Sequence, residues 1–383
     1  MLKSKTTSRK AVIVLDPRGV VISGGFDVMK RHEIYSRSIE RFENNLKFVV
    51  ISSGQKPSIT ASENMNLKVY SVSNPTLNFF RFAFKSKRLI SRMNLDVKLL
   101  IVGDCWEGYW SAFFLSKFLN RDIPIQIQVH GDIADSRWRR INLINRIRYS
   151  LATFSLSKAT SIRAVTRYQA ENLVNAFGIG KEKIVVVPVP INVISKFVAL
   201  KSERPKAIGL IGRIHQDRGI WDFLQLIKVL NFSSNDFKVV VIGDGPSKDK
   251  FLLKLESVIP KSRITYLGQL PERELRKAWK EIGVLVSMAP VESYGRVMRE
   301  SLIAGVPVWA TASAGVKDLM DNCKKGEVKL LDLDKSAASI DKDFNSLLKT
   351  KVSSDFSKRF IKENNIYAEK LANSWISIIS KAK

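Results

Sequence analysis

The chain has 383 residues, 45% of them hydrophobic and 26% charged, with 63 Lys+Arg against 36 Asp+Glu for a net charge of +27. That length gives room for two domains with real cores, and the apolar share excludes a disordered chain. Two cysteines, Cys105 and Cys323, exclude a disulfide framework, no apolar run reaches the roughly 18 residues of a membrane span, and the run after the basic N-terminus is too brief for a signal peptide, so a reducing, cytoplasmic setting is expected.

The charge is uneven. Residues 1–200 hold 31 Lys+Arg against 14 Asp+Glu, and the remainder 32 against 22. Such a field attracts nucleic acid, anionic membrane or anionic substrates without choosing among them.

In chain order, 11–15 (AVIVL) reads as a short buried strand ending at Asp16. The loop after it carries Gly24–Gly25, followed by a helical stretch over 27–42. A Gly pair after the first strand of an α/β domain lets backbone approach a phosphate, although alone it signals only a turn. Arg31 and His32 follow on that helix, where a solvated face accounts for both. Further strands are expected at 47–52, 67–72, 97–102, 123–129, 161–166 and 184–187, with helices between most of them. This half therefore reads as α/β with a mainly parallel sheet. His130 and Asp132 close one of the strands, at the end where open parallel sheets bind ligands. Only three histidines occur, at 32, 130 and 215.

Two stretches here have the character of an interfacial surface. Residues 77–93 interleave Phe79, Phe80, Phe82 and Phe84 with Arg81, Lys85, Lys87, Arg88 and Arg92, and 137–148 add Trp138 to five arginines. A basic amphipathic helix suits an anionic membrane surface; a core-facing helix with solvated charges has the same pattern.

Pro188 and Pro190 end the last strand of this half, and 200–205 (LKSERP) reads as a linker, so domains are expected at 1–200 and 201–383. A strand over 206–211 delivers Gly212-Arg213-Ile214-His215-Gln216-Asp217-Arg218-Gly219. Strands at 237–242 and 263–267 follow, the first running into the generic turn Gly243-Asp244-Gly245-Pro246 and the second into Gly268. The stretch 283–311 then reads strand, loop, helix, loop, strand. Its strand is 283–288, its helix 296–304, and Gly305 sits where helices end in a left-handed residue. Glu292 lies in the loop and Glu300 one to two turns into the helix. Free amides near Tyr294, Gly295 and Arg296 would face the same space, where a helix N-terminus attracts phosphate. Carboxylates only accept hydrogen bonds, so two of them beside an anion site suit a ligand with both phosphates and hydroxyls. A last strand at 326–331 and a helical tail at 357–381 complete the chain.

The 283–311 segment resembles the signature of the retaining, nucleotide-sugar-dependent glycosyltransferases of family four, which have the GT-B fold. Their two glutamates are separated by seven residues, with an aromatic–Gly pair after the first and Ala-Gly-x-Pro-Val after the second. Glu292, Tyr294, Gly295, Glu300 and 304–308 (AGVPV) fit, with Tyr294 in place of the commoner Phe and Ser301 where Ala is usual. Arg213 matches the Gly-Arg that opens the family's diphosphate motif, and Arg218 replaces its Lys, keeping the charge and adding a bidentate fork.

The resemblance implies an α/β, GT-B architecture: two Rossmann-like domains facing across a cleft, with the final helix crossing back to the first. It implies that Arg213 and Arg218 grip the donor diphosphate, Glu300 holds ribose hydroxyls, and Glu292 holds sugar hydroxyls. Tyr294 and Gly295 would hold diphosphate or sugar through their amides, Gly24 and Gly25 would cover the diphosphate, Gly268 would lie near the base, and His130 would stand beside the donor sugar and acceptor. The implied partners are a nucleoside-diphosphate sugar and a glycan or lipid-linked acceptor in cell-envelope synthesis, with no cofactor and no metal. A nucleotide-sugar epimerase of the same fold and a basic nucleic-acid-binding protein are the alternatives. No nucleic-acid motif supports the latter, since charge alone gives only nonspecific binding.

Overall fold

The computed structural model describes residues 8–23, 25–61, 67–74, 76, 78–191, 204–232 and 236–382. It comprises two compact units, Met1–Pro190 with Asn365–Lys383, and Ile191–Asn364. The first boundary falls just after the two prolines rather than at residue 200, and 192–203, which hold most of the expected linker, lie outside the described residues.

In the first unit, β1 (Arg9–Asp16), β2 (Leu46–Gly54), β3 (Ser58–Ala61), β4 (Lys68–Ser73), β5 (Leu95–Val102), β6 (Ile125–Gln128), β7 (Ser161–Ala164) and β8 (Ile184–Val186) form one sheet. Its order is β3-β4-β2-β1-β5-β6-β7-β8, and every pairing is parallel except β3 with β4. The alternation of a strand divides its side chains between two cores. Ala11, Ile13 and Leu15 of β1 enter one face; Val12 enters the other. That second face is closed by the end of the long helix Ser354–Lys381, which contributes Tyr367, Leu371, Ala372 and Trp375. Trp375 is fully buried, stacks on Phe48 with centroids 5.7 Å apart, and donates its indole N–H to Gln126 Oε1 at 2.6 Å. Truncating so buried a Trp typically costs about 3–5 kcal/mol.

In the second unit, β9 (Ala207–Ile211), β10 (Lys238–Ile242), β11 (Ile264–Tyr266), β12 (Val284–Ser287), β13 (Val308–Ala310) and β14 (Val328–Leu330) form an all-parallel sheet in the order β11-β10-β9-β12-β13-β14. The chain moves outward from β9 on one side, then restarts at β12 on the other. Such a reversal opens a crevice beyond the carboxyl ends of the two strands, because their crossover connections leave on opposite sides. Phe223, Phe251, Trp309 and Phe344 anchor the core beneath. The expected strands are found with bounds shifted by at most two residues. The edge strand β3 was not anticipated: all four of its residues are exposed, so it has no buried side to reveal it.

Candidate functional site

In the second unit the loops after β9 and β12 meet at the reversal point. Gly219, in the left-handed region at φ +68°, lets the first loop turn into the helix Ile220–Phe232. A Cβ there would lie 1.9 Å from the Met288 carbonyl oxygen at the end of β12, so only glycine lets the two loops approach this closely.

Within the first loop, Asp217 holds its neighbours. Its Oδ2 accepts from Arg213 Nη2 at 2.9 Å, and its Oδ1 lies 2.5 Å from His215 Nδ1. Arg213 is 55% exposed, and an ion pair so open to water is worth about 0.2–1 kcal/mol. An arriving diphosphate can therefore compete for it. Arg218 reaches the other loop, donating from Nη1 to Glu292 Oε2 at 3.2 Å.

Glu292 is fully engaged. Its Oε1 accepts from the amides of Tyr294 at 3.2 Å and Gly295 at 3.0 Å, and its carbonyl accepts from the Gly315 amide at 2.8 Å. This corrects one expectation. The Tyr294 and Gly295 amides do not face outward for a phosphate, because a carboxylate two and three residues upstream folds back onto them. Gly295, at φ +73°, permits that fold and starts the helix Arg296–Ile303. Tyr294 is buried, its ring covered by the Arg299 guanidinium 3.9 Å from the centroid, and so supports the loop from beneath. Glu300 lies on the second turn of that helix, largely shielded, with Oε1 3.9 Å from Arg296 Nη2. Gly268, at φ +65°, follows β11, and its carbonyl accepts from the Gly243 amide at 2.7 Å.

The structure thus joins Arg213, Arg218, Glu292, Tyr294 and Gly295 in two linked loops. Glu300 and Gly268 belong to the same unit, and the other expected residues, Gly24, Gly25 and His130, to the first. Gly24 lies outside the described residues. Gly25 is already the first residue of the helix Gly25–Phe42 and is not in the turn after β1. That turn is Asp16–Gly19, followed by a short helix over Val20–Ser23. Asp16 Oδ2 fixes it by accepting from the Val21 amide and the Ser52 hydroxyl, each at 2.7 Å.

His130 stands just past β6. Desolvation, and after it the positive charges of Arg163, Arg31 and His32, push its pKa down to about 3. His130 is exposed to solvent, which weakens the first cause, while the cations act in the same direction. The imidazole is therefore neutral at pH 7. Two residues on, Asp132 is 2% exposed; its Oδ2 accepts from Asn172 Nδ2 at 3.1 Å and its Oδ1 has no partner among the described residues. Burial pushes its pKa up to about 6.

Three supporting residues escaped sequence reasoning. Asp217 restrains Arg213. Arg299, 3% exposed, donates to Asp318 Oδ2 at 2.7 Å while lying over Tyr294. Gly315 gives its amide to Glu292. An arginine on a helix reads as solvated until the tertiary structure buries it, and no spacing marked Arg299. Asp217, one residue before Arg218, was the legible one: a carboxylate between two basic side chains is a natural restraint.

The family described as glycosyl transferases group 1 matches residues 194–365, and that described as glycosyltransferase family 4 matches 43–194. A 2-deoxystreptamine glucosyltransferase of Streptomyces kanamyceticus is 27% identical over 225 residues, covering 55% of this chain and 57% of its own. A GDP-mannose-dependent alpha-mannosyltransferase of Mycolicibacterium smegmatis is 29% identical over 127 residues, 33% of this chain and 30% of its own. The matches thus span about half, or less, of these curated relatives' lengths. Among solved structures, the lipopolysaccharide outer core galactosyltransferase WaaB superimposes with a TM-score of 0.66 at 14% identity, covering 96% of this chain and 99% of its own. Anabaena Alr3699/HepE, solved with UDP-glucose, gives a TM-score of 0.65 at 16% identity over 95% of this chain and 99% of its own. At such identities the superpositions establish the fold.

Proposed function

Because this chain belongs to the group 1 glycosyltransferases of the GT-B fold, we propose that it moves a glycosyl group, with retention, from a nucleoside-diphosphate sugar to a hydroxyl of a glycan or lipid-linked acceptor in the cell envelope. The observation that carries the reading is the meeting of the Arg218 guanidinium with the Glu292 carboxylate where the sheet order reverses, with Arg213 in the same loop.

In this mechanism the bond between the anomeric carbon and the phosphate oxygen breaks while the acceptor oxygen attacks from the same face. The acceptor's proton passes to the departing phosphate oxygen, so no protein nucleophile is needed. Charge gathers on the leaving group, and Arg213 and Arg218 neutralise it, exchanging Asp217 and Glu292 for phosphate oxygens. Released from Arg218, Glu292 Oε2 can accept from sugar hydroxyls and favour positive charge at the anomeric carbon. Glu300 accepts from the ribose hydroxyls. In the first unit His130, being neutral, can hydrogen-bond a sugar hydroxyl through one ring nitrogen. With two arginines in the charge-neutralising role the reaction calls for no divalent ion, which activity in excess chelator tests.

Mass spectrometry of products after incubation with a panel of nucleotide sugars and saccharide acceptors tests the whole reading. Acceptor-dependent glycosylation is expected. Conversion of the sugar nucleotide itself without an acceptor would instead identify an epimerase.

A further inference from the structure

The first unit carries a surface that the transfer reaction does not use. The helix Leu143–Lys158 packs against its unit through Asn145, Ala152, Ser155 and Leu156. At about 100° per residue, Leu143, Ile147 and Phe154 fall within about 40° of one another on the opposite side. They are 68%, 56% and 44% exposed, with Ile144 at 59% beside them. A solvent-facing helix face normally carries polar residues; this one is apolar.

The patch extends beyond that helix. Phe154 stacks on Trp110 with centroids 5.5 Å apart, and Trp110 leads through Phe114, 6.2 Å away, to Phe80 at 5.1 Å. Phe80 and Phe84, on the helix Phe79–Arg92, are 49% and 40% exposed. One apolar face therefore crosses three helices.

The two outer helices carry charge of one sign; the helix between them, Glu107–Phe118, opens with Glu107, whose carboxylate is paired with Arg18 and Arg148. Residues 136–170 and 64–95 contain no Asp or Glu, while Arg139, Arg140, Arg146 and Lys158 flank the first helix and Arg81, Lys87 and Arg88 the second. Arg88 lies 4.5 Å over the Phe84 ring.

We propose that this face docks the protein in the plane of an anionic lipid bilayer, with Leu143, Ile144, Ile147, Phe80 and Phe84 entering the acyl boundary and the flanking arginines and lysines meeting lipid phosphates. Charge complementarity selects the occupant. A bilayer offers apolar depth beneath a continuous anionic layer, which matches apolar side chains fringed by cations of one sign. Among the described residues no helix is long and apolar enough to cross the membrane, so the attachment lies in the interface.

Sedimentation of the full chain with vesicles tests this, comparing phosphatidylcholine alone with an equal mixture of phosphatidylcholine and phosphatidylglycerol. The wild type binds the anionic mixture at low salt, weakens as salt rises, and binds the neutral vesicles poorly. A Leu143→Ser/Ile144→Ser/Ile147→Ser variant, altered only at exposed positions and verified as folded by circular dichroism, loses on the order of 100-fold in partitioning. An Arg140→Ser/Arg146→Ser/Lys158→Ser variant loses a similar factor at low salt and flattens the salt dependence, at about fivefold per basic residue. Wild-type partitioning in both variants, or no sedimentation with anionic vesicles at low salt, overturns the proposal. So does a concentration-dependent dimer that the apolar variant abolishes while vesicle binding stays unchanged, since a second copy would then cover the face.

Discussion

Arg218 Nη1 stands 3.2 Å from Glu292 Oε2, joining side chains 74 residues apart in sequence. Each neutralises the other in the absence of substrate, and neither is deeply buried, at 43% and 23% side-chain exposure. The pair is cheap to open, so a ligand carrying both phosphate and hydroxyls can take each half separately.

Arg218→Ala is therefore expected to lower kcat/KM for the donor by about 10²–10³-fold, the usual effect of losing one charge stabiliser. Arg218→Lys should recover part of the loss, keeping the charge without the fork. Steady-state kinetics with a fixed acceptor measures both.

The two glutamates should separate in calorimetry. Glu300→Gln weakens binding of the bare nucleoside diphosphate. Glu292→Gln leaves that binding nearly intact and lowers turnover. Equal losses of diphosphate affinity would mean that the two carboxylates do not divide ribose from sugar.

Two glycines in the left-handed region should respond differently to alanine. At Gly219 the new methyl group meets the Met288 backbone, which cannot move aside, and a loss of about 2–4 kcal/mol is expected in denaturant unfolding. At Gly295 it meets the Met298 methyl, 2.1 Å from the new Cβ but at the end of a flexible chain. That substitution should cost only about 1–2 kcal/mol, the strain of the backbone itself.

Asp132 gives a pH signature. Its folded pKa, about 6, exceeds the ordinary 3.8, so folding favours its protonated form. That preference supports the fold below pH 3.8 and is lost as pH rises through 6. Asp132→Asn should thus raise stability at pH 8 by on the order of 2–3 kcal/mol and have no such effect near pH 4. Thermal melts across that range decide it.

The histidines give another. Desolvation is the leading cause that lowers His32 to about 4, and His130 falls to about 3. The folded state therefore resists protonating them, and stability is lost as pH drops from the unfolded value near 6.5 toward those figures. Imidazole resonances of both should remain in the neutral form from pH 8 to pH 5 when followed by NMR.

Much of this molecule was legible in the chain because its signals are local. Runs such as AVIVL and VVVI, short and rich in β-branched residues, read as strands buried on both faces of a sheet. The spacing of Arg213 from Arg218, and of Glu292 from Glu300, placed all four in the unit where they are found. What was not legible depends on distance along the chain. Nothing in the sequence says that Glu292 turns back onto the Tyr294 and Gly295 amides, since an external anion would satisfy the same donors. Nor does composition tell an apolar helix face that is buried from one that is exposed. In 77–93 the helix does both, burying Phe82 and presenting Phe80 and Phe84. The turn after β1 itself is made by Asp16 and Gly19, and Gly25 opens the helix that comes later, a division of labour the Gly pair did not reveal.

Trp375 fills the core of a unit whose first strand begins at Arg9. During synthesis, the sheet that includes β1 is complete in sequence by β8, yet one of its faces lacks Tyr367, Leu371 and Trp375 until that helix has left the ribosome. The half made first is thus finished last. Its open face, lined by Val12, Val50 and Ile101, stays wet while Ile191–Asn364 is translated, and a chain cut short before residue 367 would leave it so for good.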